Sequence, residues 1–220
     1  MIYLRDRKLL FLKPRKTAGT SVEIALSCNA GPEDIVTPVI ATDELKRMEA
    51  GGQFPVNWST PEIEARFREE MLRYRSGAQR KTPFFRITAA KFYNHIAPKE
   101  IAARAGEDFL RGARIVTMCR HPYEVFVSQV YFFRSFRKLD IGFTELAEKL
   151  ADNIVTNLPF YFYDGEVLPA RVIRYEQLMT DLRALEKEEG LRILEHLPFT
   201  KQGVRDDRRP AREILGRELR

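Results

Sequence analysis

Four short runs of apolar and β-branched residues stand out in a chain otherwise rich in charge: Leu9 to Leu12, Phe85 to Thr88, Arg114 to Cys119 and Ala170 to Arg174. Each is short and nearly continuous in its hydrophobicity, the pattern of strands covered on both faces in a parallel sheet. Helical signals fill the intervals. Gly19 to Ser27 opens on glycine and carries Val22, Ile24, Ala25 and Leu26. Ser59-Thr60-Pro61-Glu62 places a hydroxyl cap, then proline at the first helical position, then acid in the first turn. Pro98 to Ala103 repeats that start, Pro122 to Phe136 is long enough for about four turns, and Thr144-Glu145-Leu146 and Glu176 to Glu189 supply two more helices. Strands alternating with helices predict an α/β domain with a mainly parallel sheet flanked by helices.

A single domain over residues 1–220 is the expected organisation. Its least regular part, Asn29 to Thr82, contains Gly51-Gly52, Pro55 and Pro61 and reads as an irregular insertion over the sheet. The last twenty residues, 201–220, hold Lys201, Arg205, Arg208, Arg209, Arg212, Arg217 and Arg220, a basic arm or a surface helix.

Composition narrows the class. With 44% apolar and 31% charged residues the chain is neither disordered, collagenous nor embedded in a membrane. A formal charge of +6 favours an anionic partner, and nucleotide, polyanionic sugar, nucleic acid and anionic lipid all satisfy it. Cys28 and Cys119 are too few for a disulfide framework or a zinc site, as in a reducing compartment. No apolar run approaches the roughly 20 residues of a membrane span. Charge from Arg5 to Lys8 occupies the place where a signal peptide needs its apolar stretch, so a cytoplasmic protein is expected.

In open α/β sheets ligands bind at the carboxyl ends of the strands. Directly after Leu9 to Leu12 comes Lys13-Pro14-Arg15-Lys16-Thr17-Ala18-Gly19-Thr20-Ser21, leading into a helix. A strand, a tight glycine-bearing loop and a helix N-terminus gather backbone N–H groups and a helix dipole around one point, which suits an anion. Read without that context, Lys13, Arg15 and Lys16 are solvated loop charges. The loop is not the ATP-binding type, because Pro14 stands at its first glycine and Thr20 at its lysine. No strand run ends in the Asp that would hold magnesium. The third runs instead into Arg120, so neutralisation by side chains, with no metal, is expected. Arg120-His121-Pro122, with Ser128 further along the helix, offers a guanidinium fork and a hydroxyl for a second phosphate. Two separated anion sites imply a ligand with two separated phosphates.

These residues resemble the sulfotransferases that use 3′-phosphoadenosine 5′-phosphosulfate (PAPS). Lys16-Thr17-Ala18-Gly19-Thr20-Ser21 is similar to their 5′-phosphosulfate loop, Arg120-His121-Pro122 with Ser128 to their 3′-phosphate element, and Arg174-Tyr175-Glu176-Gln177-Leu178 to their later R-Y-E-x-L segment. Asn94-His95-Ile96-Ala97-Pro98-Lys99-Glu100-Ile101 resembles the carbohydrate-type branch in particular. The resemblance implies a P-loop-like, nucleotide-kinase-like fold and PAPS as the donor substrate. It implies binding by Arg15, Lys16, Thr17, Ala18, Gly19, Thr20, Ser21, Arg120 and Ser128, while Tyr175 either touches the cofactor or fills the core. It further implies His95 as the catalytic base and Lys16 as the cation meeting charge on the leaving phosphate. A histidine, with an ordinary pKa near 6.5, is free to take a proton at neutral pH, and a fixed cation at the breaking bond favours the transition state.

Three departures from the family pattern stand out. His121 holds a position usually Asp or Asn, Thr200 to Gly203 matches the basic loop over the 3′-phosphate only faintly, and the chain is short, which suits a small acceptor pocket. The expected acceptor is a hydroxyl, on a carbohydrate by the branch resemblance, with lipid, peptide tyrosine and small alcohols open. Two rivals stay in view: a nucleotide kinase or other phosphotransferase, and a noncatalytic basic nucleic-acid-binding module, for which no recognisable motif is present. Of the remaining candidates, His196 reads as a helix-surface residue and the two cysteines as small buried hydrophobes. Tyr123, Phe126, Val127, Val130, Tyr131, Phe133 and Phe136 read as a core stripe.

Overall fold

The computed structural model describes residues 1–83, 90–151, 156–198, 205, 207 and 209–216. Strands β1 (Ile2–Leu4) and β2 (Leu9–Phe11) form a hairpin around a 3-10 turn at Arg5–Arg7. Helix α1 (Gly19–Ser27), strand β3 (Ile35–Val36) and helices α2 (Ala41–Glu49), α3 (Pro61–Arg75), α4 (Pro98–Ala105) and α5 (Glu107–Arg111) follow. Then come β4 (Arg114–Cys119), α6 (Pro122–Phe136), α7 (Phe143–Ala151), the small hairpin β5 (Phe162–Tyr163) and β6 (Glu166–Val167), and β7 (Ala170–Arg174). A 3-10 turn at Tyr175–Gln177 leads into α8 (Leu178–Glu189), and α9 (Ala211–Ile214) is the last described element.

The central sheet has the order β3-β1-β2-β4-β7. Strands β2, β4 and β7 are parallel, and β1 runs against both of its neighbours. The fold is therefore α/β, with a mostly parallel sheet flanked by helices. Three of the expected strands form its parallel half, and the fourth, Phe85 to Thr88, lies outside the described residues. In β2 and β4 the continuous apolar runs follow from cover on both faces, whereas β7 fully buries Ile173 and leaves Val172 43% exposed. Leu10, Leu12 and Ile115 pack against Phe67 and Met71 of α3, Ile101 of α4 and Leu110 of α5. Leu9, Phe11, Val116, Met118 and Ile173 pack against Val22, Ala25 and Leu26 of α1 and Leu182 and Leu185 of α8.

Two expectations change. The span 29–82, read as an irregular insertion, carries β3, α2 and α3, and β3 completes the sheet while Val36 exchanges backbone hydrogen bonds with Val56. A strand of two residues is too brief to register as a pattern. The α6 stripe is core only in part: Phe126, Val127, Val130 and Tyr131 pack against Leu146 and Ala147 of α7 and against Ala211 and Leu215. Tyr123 and Phe136, at 36% and 73% exposure, lie outside that core.

One buried polar contact joins the layers. Lys13, just past β2, turns inward and its ammonium donates to Glu23 of α1, both side chains being fully buried. The other carboxylate oxygen of Glu23 accepts from the Met1 backbone nitrogen at 2.5 Å and from Thr37 Oγ1 at 3.2 Å. Burial opposes ionisation of Glu23, but Lys13 and the Met1 nitrogen beside it hold its carboxyl well below the usual carboxylate range. The Lys13 stem crosses the start of α1, where a Cβ at position 19 would stand 2.5 Å from Lys13 Cγ. Glycine is thus required there by close approach. Gly19→Ala is expected to lower stability by about 2–4 kcal/mol, because it crowds a closed core and pries at a buried ion pair. Urea unfolding followed by circular dichroism checks this, and an unchanged midpoint contradicts it.

Candidate functional site

With Lys13 held inside, the chain has only Pro14 to Ala18 in which to turn from β2 into α1. Lys16 and Ala18 both take left-handed backbone angles, φ 61° and 66°. Non-glycine residues occupy that region at a cost of about 1–2 kcal/mol each. Alternating hand along a short segment turns successive N–H groups toward one point. The first turn of α1 then adds N–H groups without intrahelical partners and the positive end of the helix dipole. Inside the loop, Thr17 Oγ1 donates to the Pro14 carbonyl at 3.2 Å, and the Ser21 N–H donates to the Ala18 carbonyl at 3.0 Å.

Asn157 clamps this loop from outside. Its Oδ1 accepts from the Arg15 N–H at 2.8 Å and its Nδ2 donates to the Arg15 carbonyl at 2.9 Å, while the Arg15 side chain stays exposed. Sequence reasoning missed Asn157, since a contact across 142 residues leaves no local signal.

Arg120 arrives from the end of β4, the parallel neighbour of β2. Its Nη1 donates to the Lys16 carbonyl at 3.2 Å, its Nη2 lies 3.3 Å from Glu124, and its guanidinium carbon sits 4.0 Å from the Tyr175 ring centroid. Its Nε is buried and has no hydrogen-bond partner. The ends of β2, β4 and β7 thus converge on one place through Lys16, Arg120 and Tyr175. Lys16 Nζ rests 4.3 Å from the Phe132 ring centroid. Ser128 is half-buried on α6, four residues after Glu124 and four before Phe132, so helical spacing sets it on the stripe that faces the loop.

His95, at φ 60°, joins from the turn before α4. Its Nδ1 lies 2.8 Å from the Lys13 carbonyl. A carbonyl only accepts, so Nδ1 carries the proton and Nε2 keeps its lone pair. Burial, then the nearby Lys13 charge, pushes the imidazole pKa down to about 2. The ring is neutral through the physiological range.

The loop residues from Arg15 to Ser21 therefore form one cradle, Arg120 and Tyr175 border it, Ser128 stands on α6 between Glu124 and Phe132, and His95 is tied to the loop through Lys13. Lys13 itself is no solvated loop charge: its ammonium belongs to the core. His121 is exposed, with its N–H held by Glu176 at 2.9 Å. Glu176, a further residue without an assigned role in the sequence reading, thereby fixes the turn after β4. Arg174 pairs with Asp181 at 2.7 Å. His196 lies in a turn rather than on a helix, and Thr200 to Gly203 fall outside the described residues.

Among the described residues no group of three or more His, Cys, Asp or Glu is arranged to hold a metal ion, and no helix is long and apolar enough to cross a membrane. No family model, curated protein or solved structure matches the chain.

The Asn157 clamp yields a direct expectation. In Asn157→Ala the Arg15 amide loses its acceptor, and its hydrogen exchange should accelerate by about 10-fold or more, in line with about 1–2 kcal/mol per lost bond. Unchanged protection at Arg15 in native-state exchange contradicts the clamp.

Proposed function

We propose that the chain is a PAPS-dependent sulfotransferase, moving a sulfuryl group to an acceptor hydroxyl, with a carbohydrate as the acceptor class, on a P-loop-like scaffold. One observation carries the reading. Two donor-rich elements more than a hundred residues apart in sequence, the loop around Lys16 and the Arg120 strand end, meet through a 3.2 Å hydrogen bond. A ligand with phosphates at both ends of a nucleoside suits such a pair of seats. The fit is supported by Arg120, whose contacts to Lys16 and Glu124 are long and whose buried Nε lacks a partner. A guanidinium left so weakly bonded gains by taking an anion.

PAPS, when bound, supplies an activated sulfuryl group with a phosphate leaving group. The chain supplies position and charge. The N–H groups from Thr17 to Thr20 and the Ser21 hydroxyl hold the 5′ end, and Arg120 and Ser128 hold the 3′ end. Lys16 Nζ leaves the face of Phe132 to meet charge on the leaving oxygen. His95 accepts the acceptor proton at Nε2, because the Lys13 carbonyl fixes the proton on Nδ1. Burial and the Lys13 charge disfavour an imidazolium, and the negative charge of a bound donor works in the opposite sense, making His95 more basic when it is needed.

Lys16→Ala and His95→Ala are each expected to lower turnover by on the order of 10²-fold or more. Arg120→Ala should instead weaken binding of adenosine 3′,5′-bisphosphate in calorimetry. Activity should persist in EDTA, which a magnesium-dependent phosphotransferase would not tolerate. Near-normal rates in both catalytic variants, or unaltered nucleotide binding without Arg120, would refute these roles.

The depressed pKa of His95 also predicts a stability profile. Between its folded value of about 2 and the ordinary 6.5, the unfolded chain binds the extra proton, so stability rises with pH across that window and is lost on acidification below 6.5. The slope from this group is about 1.4 kcal/mol per pH unit at most. His95→Gln should flatten the decline in chemical stability between pH 6.5 and 4.5, and an identical decline would contradict the assignment.

A further inference from the structure

The second anion seat already contains an anion, and it belongs to the chain. Glu124, in the first turn of α6, places Oε2 2.6 Å from Arg205 Nη1 and 3.3 Å from Arg120 Nη2, while its Oε1 accepts from the Ala211 N–H at 2.6 Å. Two guanidiniums and a main-chain N–H thus converge on one carboxylate, the donor set that a phosphate would seek. Burial resists the charge on Glu124, yet the Ala211 N–H, Arg205 and Arg120 hold its carboxyl below the ordinary range. The attachment is uneven. Arg205 grips Glu124 closely, whereas Arg120 touches it only at 3.3 Å and keeps a buried Nε unpaired.

Resting on the nucleotide reading above, we propose that Glu124 is a displaceable counter-anion: its carboxylate occupies the seat between Arg120 and Arg205 in the free chain, and the 3′-phosphate of the nucleotide takes its place. A phosphate dianion has more charge and more acceptor oxygens than the carboxylate, so it wins both arginines. A 3′-hydroxyl has neither, and leaves Glu124 where it is. The same competition works in reverse after transfer. Glu124 returns to its two arginines as the bisphosphate departs, which offsets part of the tight grip that two phosphate seats would otherwise keep on the product. Glu124 is therefore a residue that sets affinity and specificity, not a catalytic one. The opposite role, in which Glu124 merely orients Arg120 for the ligand, predicts the opposite sign on substitution.

Glu124→Gln tests the two. The amide oxygen can still accept from Ala211, so the fold contact is kept, and the charge is gone. Titration calorimetry is run on the full chain with adenosine 3′,5′-bisphosphate and with adenosine 5′-phosphate. Glu145→Gln, which removes an equal charge from the exposed side of α7, sets the baseline for a general charge effect. Glu124→Gln is expected to bind the bisphosphate about 3- to 10-fold tighter than wild type, as loss of a like charge at close range implies. Its affinity for the 5′-phosphate should change no more than that of Glu145→Gln. With the tighter grip, inhibition by the bisphosphate in a transfer assay should strengthen by the same factor. Weaker or unchanged bisphosphate binding in Glu124→Gln overturns the proposal while leaving the nucleotide reading standing, as does an equal gain for both nucleotides. A wild-type chain that binds neither nucleotide removes that reading and this proposal with it.

Discussion

Lys13 does three things at once, and the geometry of the candidate site follows from them. Its ammonium is drawn into the core by Glu23, its stem lies against the glycine that opens α1, and its carbonyl accepts a hydrogen bond from His95 Nδ1. Burying an ion pair of this kind costs desolvation that the attraction must repay, and breaking one partner is far costlier than never having built it. The pair is thus a strong constraint on shape. It sets where β2 stops and how close α1 approaches. The five residues between are left too little chain to avoid left-handed turns at Lys16 and Ala18. The tautomer of the imidazole and the curl of the loop are set by the same residue.

Around that anchor the charges are arranged unevenly. Inside, Lys13 meets Glu23 and Arg47 meets Glu44 at 2.7 Å, so each of these two buried cations has a carboxylate beside it. At the carboxyl edge of the sheet the cations also meet aromatic rings. Lys16 rests on an aromatic ring and Arg120 stacks on Tyr175 with only long polar contacts. An aromatic face stabilises a cation without neutralising it. Arg120, with its long contacts and a buried Nε that lacks a partner, gains by taking an anion. The arrangement suits transfer chemistry in which the chain itself carries the compensating charge.

Much of this was legible in the residues. The parallel strands β2 and β4 and helices α1 and α6 coincide with the runs, glycine and proline that announce them, because burial on both faces and proline at the first helical turn leave local marks. The loop from Lys13 to Ser21 was legible for the same reason, since strand, glycine and helix stand side by side in the chain. What could not be read was everything decided across long separations. Strand β3 is too short to show a period, so the span 29–82 looked irregular, and β1 left no mark for the same reason. Asn157, Glu176 and Arg205 act on partners 142, 55 and 81 residues away. Nor did any local feature reveal that Lys13 would turn inward, away from its basic neighbours. Only the partner on α1 explains it.

Whether the two seats belong to one ligand is tested most directly by a crystal structure of the chain grown with adenosine 3′,5′-bisphosphate. The expected result places the 5′-phosphate against the N–H groups of Thr17 to Thr20 and the 3′-phosphate on the Arg120 guanidinium, with the nucleoside between β2 and the start of α6. Nucleotide density at any other place on the fold, or with only one phosphate near these residues, contradicts it.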